Sequence, residues 1–262
     1  MAATAPARPR LEAFAGLRER LAASHREATA AAFVRVEASL LATGFAGLDE
    51  ALGGGFPRGT IVTVEGPVSS GRSALGARLL ARATAGGLGA LIEKTGTTLY
   101  PPALAEAGVA LERLLVVPAP EPLAALRAAD IVLRSGAFGV VAIPAFPLKA
   151  EAWTRLASLA HRTNALVVAL GTEASNELRY FASVRVQTRL THVRWSGGSG
   201  PFATLAGYDV RFEIVKHKRA APGKSAFVSC GTFDAQGPSL SSPRERVLRP
   251  LDADRLRVRS VV

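Results

Sequence analysis

Residues 61–73 read Ile-Val-Thr-Val-Glu-Gly-Pro-Val-Ser-Ser-Gly-Arg-Ser, and this stretch organises the chain. The apolar run Ile61–Val64 is a buried strand by its length and β-branched content, a glycine-bounded turn follows, and Ser73–Ala85 reads as a helix with Leu75, Leu79 and Leu80 on its apolar side. Strand, loop and helix in that order are the setting of a phosphate-cradling loop, whose backbone N–H groups and helix N-terminus attract an anion. The spacing from Gly66 through Gly71 to Ser73 fits, but Arg72 stands where such a loop carries lysine. Gly66, Ser69, Ser70, Gly71, Arg72 and Ser73 are therefore the candidate residues of a degenerate phosphate loop. Arginine is longer, planar and forked, so it does not reproduce the point charge of lysine.

Upstream, Leu11, Phe14, Leu17 and Leu21 mark an amphipathic helix behind a Pro- and Arg-containing start. Ala42–Gly59 contains a short helix with Leu48 and Leu52 on one face, broken by Gly53–Gly55 and Pro57. Downstream, short apolar strands are expected at Ala90–Ile92, Leu114–Val117, Gly139–Ile143 and Ala165–Leu170. Helices are expected between them at Glu121–Arg134 and Ala150–Arg162, the latter with Trp153, Leu156 and Leu159 inward. Strands alternating with helices imply a parallel sheet covered on both faces. The period then changes to two: Val184, Val186, Thr188 and Leu190 alternate with Arg185, Gln187 and Arg189. Tyr208, Val210, Phe212 and Ile214 alternate with Asp209, Arg211 and Glu213, and Ser225–Cys230 forms one more strand. These read as antiparallel strands with one wet face. The expected class is α/β, a phosphate-loop core with a mostly parallel central sheet flanked by helices and an antiparallel extension. Its expected divisions are an N-terminal segment and helix over 1–32, a core over 33–235 and an Arg-rich tail over 236–262.

The 262 residues contain one cysteine, Cys230, which excludes an internal disulfide framework and fits a reducing cytoplasm. The four histidines stand at no metal-ligand spacing, no run is long and apolar enough to cross a membrane, and no apolar stretch suggests a secretory leader. Net charge is +11. Nine cationic residues between Arg179 and Lys224 face only Asp209 and Glu213, and Arg244, Arg246, Arg249, Arg255, Arg257 and Arg259 face three acids in the tail. Arg179, Arg185, Arg189 and Arg211, with those tail arginines, are the candidate surface for nucleic acid or another acidic partner. An abundance of arginine throughout the chain is the competing explanation. Trp153 is expected in the core, and Trp195, at a turn before Gly197, as a hydrophobic corner residue, the alternative being an exposed ring that stacks on a base or anchors a partner.

The run from Ala42 through Leu75 resembles the start of a RecA-type recombinase core; Tyr180–Val186 resembles the strand after that family's second DNA-binding loop, and Ile214–Lys224 its interface strand. The likeness is colinear over about residues 33–233. It implies the RecA-like fold, and it makes Lys216 and Lys218 candidates for reaching a neighbouring subunit. The departures are as telling. The strand that should end in a Mg²⁺-holding aspartate ends in Pro144, Lys94-Thr95-Gly96-Thr97 stands where a water-activating glutamate is expected, with Glu93 out of register, and Thr172 stands near where the family has a γ-phosphate-sensing glutamine. Pro144–Trp153 and the nine residues between Leu170 and Tyr180 are too short for the two DNA loops.

A RecA-like core so reduced, with a basic tail, resembles the ImuA type of SOS-induced accessory protein in mutagenic translesion synthesis. The resemblance implies a cytoplasmic, nucleoid-associated adaptor with no catalytic residues, no metal and no required cofactor. Its implied partners are RecA, an ImuB-like polymerase homologue, an error-prone polymerase complex and, by weak nonspecific contact, DNA. ATP or ADP binding without turnover stays open. The alternatives are a DNA-stimulated ATPase acting as a recombination mediator, and a SulA-like division inhibitor that binds FtsZ.

Overall fold

β3 (Ile61–Glu65) is buried along its whole length because neighbours lie on both of its edges and helices on both of its faces. The computed structural model describes residues 39–94, 100–197 and 203–230. The N-terminal helix and the Arg-rich tail expected from the sequence lie outside them, as do the tail arginines Arg244, Arg246, Arg249, Arg255, Arg257 and Arg259. The described chain from Leu40 onward falls within one compact unit.

β1 (Leu40–Leu41) pairs antiparallel with β2 (Phe56–Pro57) around α1 (Ala46–Leu52). Asp49 in the first turn of α1 accepts the N–H groups of Thr43 at 2.6 Å and Gly44 at 3.1 Å, fixing the approach to the helix, and Gly53 ends it in the left-handed region. After β3 come α2 (Arg72–Thr84), β4 (Leu88–Glu93), α3 (Pro101–Glu106), β5 (Leu114–Pro118), α4 (Pro122–Ser135), β6 (Phe138–Pro144), α5 (Ala150–Thr163) and β7 (Leu166–Gly171). The chain closes its described part with α6 (Asn176–Phe181), β8 (Val184–Ser196), β9 (Thr204–His217) and β10 (Ser225–Cys230). The eight-stranded sheet runs β10-β9-β8-β3-β7-β6-β4-β5.

The expected α/β class and parallel centre are present. Alternate residues of each central strand enter opposite cores: Val62 and Val64 join Leu75, Leu79, Val168, Val210 and Phe212, while Ile61 joins Ile92, Val141, Trp153, Leu156 and Leu178. Burying each such side chain stabilises the fold by about 1.5–3 kcal/mol.

β8 departs from the expected purely antiparallel extension. Its first residues run parallel to β3, with Val62 opposite Val184 and Glu65 opposite Gln187, while its other edge is antiparallel to β9. Beyond Gln187 it loses β3 as a neighbour, and a register shift between Leu190 and His192 breaks the alternation, so Leu190 is exposed. The short helix α6 was not anticipated. It follows β7 after a short turn, takes in Tyr180 and Phe181, and is capped by Ser175, whose Oγ accepts the Leu178 N–H at 3.2 Å. Trp153 is buried as expected, but Trp195 is not a corner residue: it is 63% exposed on β8, opposite Leu205, where β9 is its one strand neighbour among the described residues. No helix among the described residues is long and apolar enough to cross a membrane.

Candidate phosphate loop and partner surface

The six loop candidates are brought together between β3 and α2, at the carboxyl ends of the parallel strands, where open α/β sheets bind ligands. The Gly66 N–H donates to the carbonyls of Gly171 at 3.2 Å and Thr172 at 3.1 Å, so the loop's first residue is tied to the end of β7. Thr172 therefore does lie beside the loop. Ser70 is 1% exposed, and its hydroxyl shares a 2.5 Å hydrogen bond with Thr188 on β8. Both glycines are required by close approach. A Cβ on Gly66 would stand 2.4 Å from the Thr188 carbonyl oxygen, and one on Gly71 2.9 Å from the Val210 methyls. The antiparallel extension thus packs directly against the loop.

Gly71 caps α2 at φ +92°, and Ser69 adopts φ +60°. Arg72 is the first residue of α2; it is half-buried, and burial lowers its proton affinity from the ordinary arginine value. Ser73 is exposed beside it. The first turn of α2 holds no acidic residue, so the helix N-terminus favours an anion.

Carboxylates are placed otherwise. Pro144 ends β6, with no acid at the strand terminus, and Glu93 ends β4, three strands from β3 in the sheet. Thr95–Thr97 lie outside the described residues. The carboxylate next to the loop is Glu65, which sequence reasoning missed. It is 3% exposed, and its Oε1 accepts from Thr63 Oγ1 at 2.8 Å and Arg185 Nε at 2.8 Å. Its Oε2 accepts from Arg185 Nη2 at 3.0 Å and the Ala174 N–H at 3.3 Å. Burial pushes its pKa up, but the Arg185 pair, the Thr63 hydroxyl and the Ala174 amide together hold it below the usual carboxylate range. Four donors fill its acceptor sites, leaving none for a metal ion or an attacking water. The available signal was a glutamate ending a strand otherwise buried on both faces, which must find a cation.

The basic candidates separate. Arg185 is engaged by Glu65. Arg179 pairs with Glu173, which is 74% exposed. Lys216 Nζ donates to the carbonyls of Arg179 at 2.6 Å and Tyr180 at 3.0 Å, and Lys218 Nζ to that of Phe181 at 3.4 Å. The two lysines expected to reach a neighbour thus cap the C-terminal end of α6 in their own chain. Burial, then Lys218 and Arg185, lowers the Lys216 pKa. Arg189 and Arg211 stand directly opposite each other on β8 and β9, an unfavourable like-charge pairing. Arg211 is also held by Ser225 at 3.1 Å and Glu213 at 3.1 Å and lies 6.0 Å above the Phe227 ring. Tyr180 is 74% exposed on α6, its ring edge-on to Phe181.

A family model described as the RecA N-terminal domain matches residues 27–151. The RecA protein of Caulobacter vibrioides (strain NA1000 / CB15N) is 30% identical over 227 residues, covering 72% of this chain and 62% of that protein. The RecA protein of Azospirillum lipoferum (strain 4B) is 29% identical over 226 residues, covering 71% of this chain and 61% of that one. The chain therefore spans somewhat under two thirds of the length of these relatives. The crystal structure of the RadB recombinase superposes with a TM-score of 0.58 at 18% identity, covering 76% of this chain and 98% of that one. The protein is RecA-like in sequence and in fold.

Proposed function

We propose that this protein is a non-catalytic RecA-like adaptor of the bacterial DNA-damage response. In this reading it supports mutagenic translesion synthesis by contacting RecA and an ImuB-type polymerase homologue, limits RecA filaments, and needs no nucleotide. The observation that supports the reading is a RecA-like sheet whose loop carries Arg72 in the lysine position and whose strand β6 ends without an acid. Arg72 stands in the lysine position, β6 ends in Pro144, and the carboxylate that directly precedes the loop, Glu65, is engaged by Arg185, Thr63 and Ala174. A subunit of RecA-like shape that cannot turn over ATP at a shared interface would end a filament. The net charge of +11 would add weak, sequence-independent DNA contact.

The acid-free N-terminus of α2 favours a second, narrower reading, nucleotide binding without turnover. The adaptor reading predicts that substoichiometric protein reduces strand exchange by RecA. Unchanged exchange at saturating protein would refute it.

A further inference from the structure

Three helices end at the amino edge of the parallel strands, the opposite end from the phosphate loop: α2 at Thr84, α4 at Ser135 and α5 at Thr163. Around the turns that follow lies a pocket of about 430 Å³, within the range of small-molecule sites. Arg58, in the turn before β3, and Arg82, in the last turn of α2, line it together with Leu88 and Phe138, the first residues of β4 and β6. Among the described residues no aspartate or glutamate lines the pocket, and neither guanidinium has an ion-pair or hydrogen-bond partner. Both are packed against bare backbone. A Cβ on Gly139 would stand 3.3 Å from Arg58 Nη1, and one on Gly44 3.3 Å from Arg82 Nε.

Basic residues at helix C-termini offset the partial negative charge there, about half an elementary charge per helix. That accounts for Arg82 but not for Arg58, which lies on no helix. The other two helices carry basic residues of their own in their last turns, Arg134 on α4 and His161 and Arg162 on α5. Arg58 is therefore surplus to what the helix ends require. We propose that the pocket binds a small organic phosphate ester, its phosphate taken by the Arg58 and Arg82 guanidiniums and its apolar part lying on Leu88 and Phe138. One planar fork serves the two oxygens of a carboxylate, whereas two forks from different elements match the tetrahedral oxygens of a phosphate. Leu88 is 37% exposed and Phe138 half-buried, which leaves apolar surface for contact. The site is separate from the phosphate loop and does not depend on the adaptor reading.

Amide NMR of the full-length protein, titrated with phenyl phosphate, tests the proposal. The amides of Gly86, Gly87, Gly136 and Gly139 are expected to shift and saturate. Arg58→Gln and Arg82→Gln should each weaken this binding at least about tenfold, the loss of a charge-assisted hydrogen bond, while Arg72→Ala leaves it unchanged. Inorganic phosphate, which lacks the apolar part, and benzoate, which lacks the further oxygens, should each bind at least about tenfold more weakly. Should the arginine variants not fold, the map of shifted amides in the wild type and the comparison of the three probes still decide. Glycine amides that stay in place, or shifts confined to Ser69–Ser73 that Arg72→Ala abolishes, would overturn the proposal. Unaltered affinity in both arginine variants would do the same, as would benzoate or inorganic phosphate binding as tightly as the ester.

Discussion

Arg185 was legible in the sequence only as one cation of a basic stretch, yet the structure makes it the partner of a buried acid. The two residues lie 120 positions apart, and neither strand's period names the other. Their side chains are 16% and 3% exposed, so the pair is shielded from water and little screened. Removing the cation alone would strand a buried carboxylate: Arg185→Ala is expected to cost about 3–5 kcal/mol in urea unfolding, with Arg185→Lys recovering only part. The pH dependence has a definite sign. Because the folded Glu65 pKa is depressed, its contribution is complete above the unfolded value and is lost as pH falls through the folded one. Wild-type stability should therefore fall more steeply between about pH 5 and pH 3 than that of Glu65→Gln, and parallel curves would contradict the assignment. The loop residues themselves were readable, since a strand–glycine–glycine–helix order is local. Thr188, which closes the loop's inner side through Ser70, was not, being 118 positions away.

Elements were legible where a single period governed them. Helices α2, α4 and α5 and strands β4 to β7 follow from apolar spacing, and Trp153 at helical spacing is buried with Leu156 and Leu159. Strand β8 was readable for its first half only. Past Gln187 its exposure depends on whether β3 lies beside it, which no local pattern encodes, and so Trp195 was misplaced as a corner residue. The two tryptophans make a paired prediction. Trp153→Ala should cost about 3–5 kcal/mol of unfolding free energy, and Trp195→Ala should stay within about 0.5 kcal/mol. Equal losses on denaturant titration would contradict the exposed placement. The α6 helix escaped notice because six residues give no periodic signal, though the Ser175 cap was there to be found. Its far end is held by lysines that the family resemblance had assigned to a neighbouring subunit.

At the scale of the molecule, an α/β sheet carrying a phosphate-type loop was legible because strand lengths, helix spacing and the colinear motifs agree. What the sheet does was less so, since the decisive contacts around Glu65 and Ser70 join positions 109 to 120 apart. The proposed adaptor role requires a RecA-like framework without phosphoryl transfer. The most direct test is phosphate release from Mg-ATP by the full-length protein, with and without single-stranded DNA, measured beside Arg72→Ala. The two proteins are expected to be indistinguishable in both conditions. DNA-stimulated release that Arg72→Ala abolishes would contradict it.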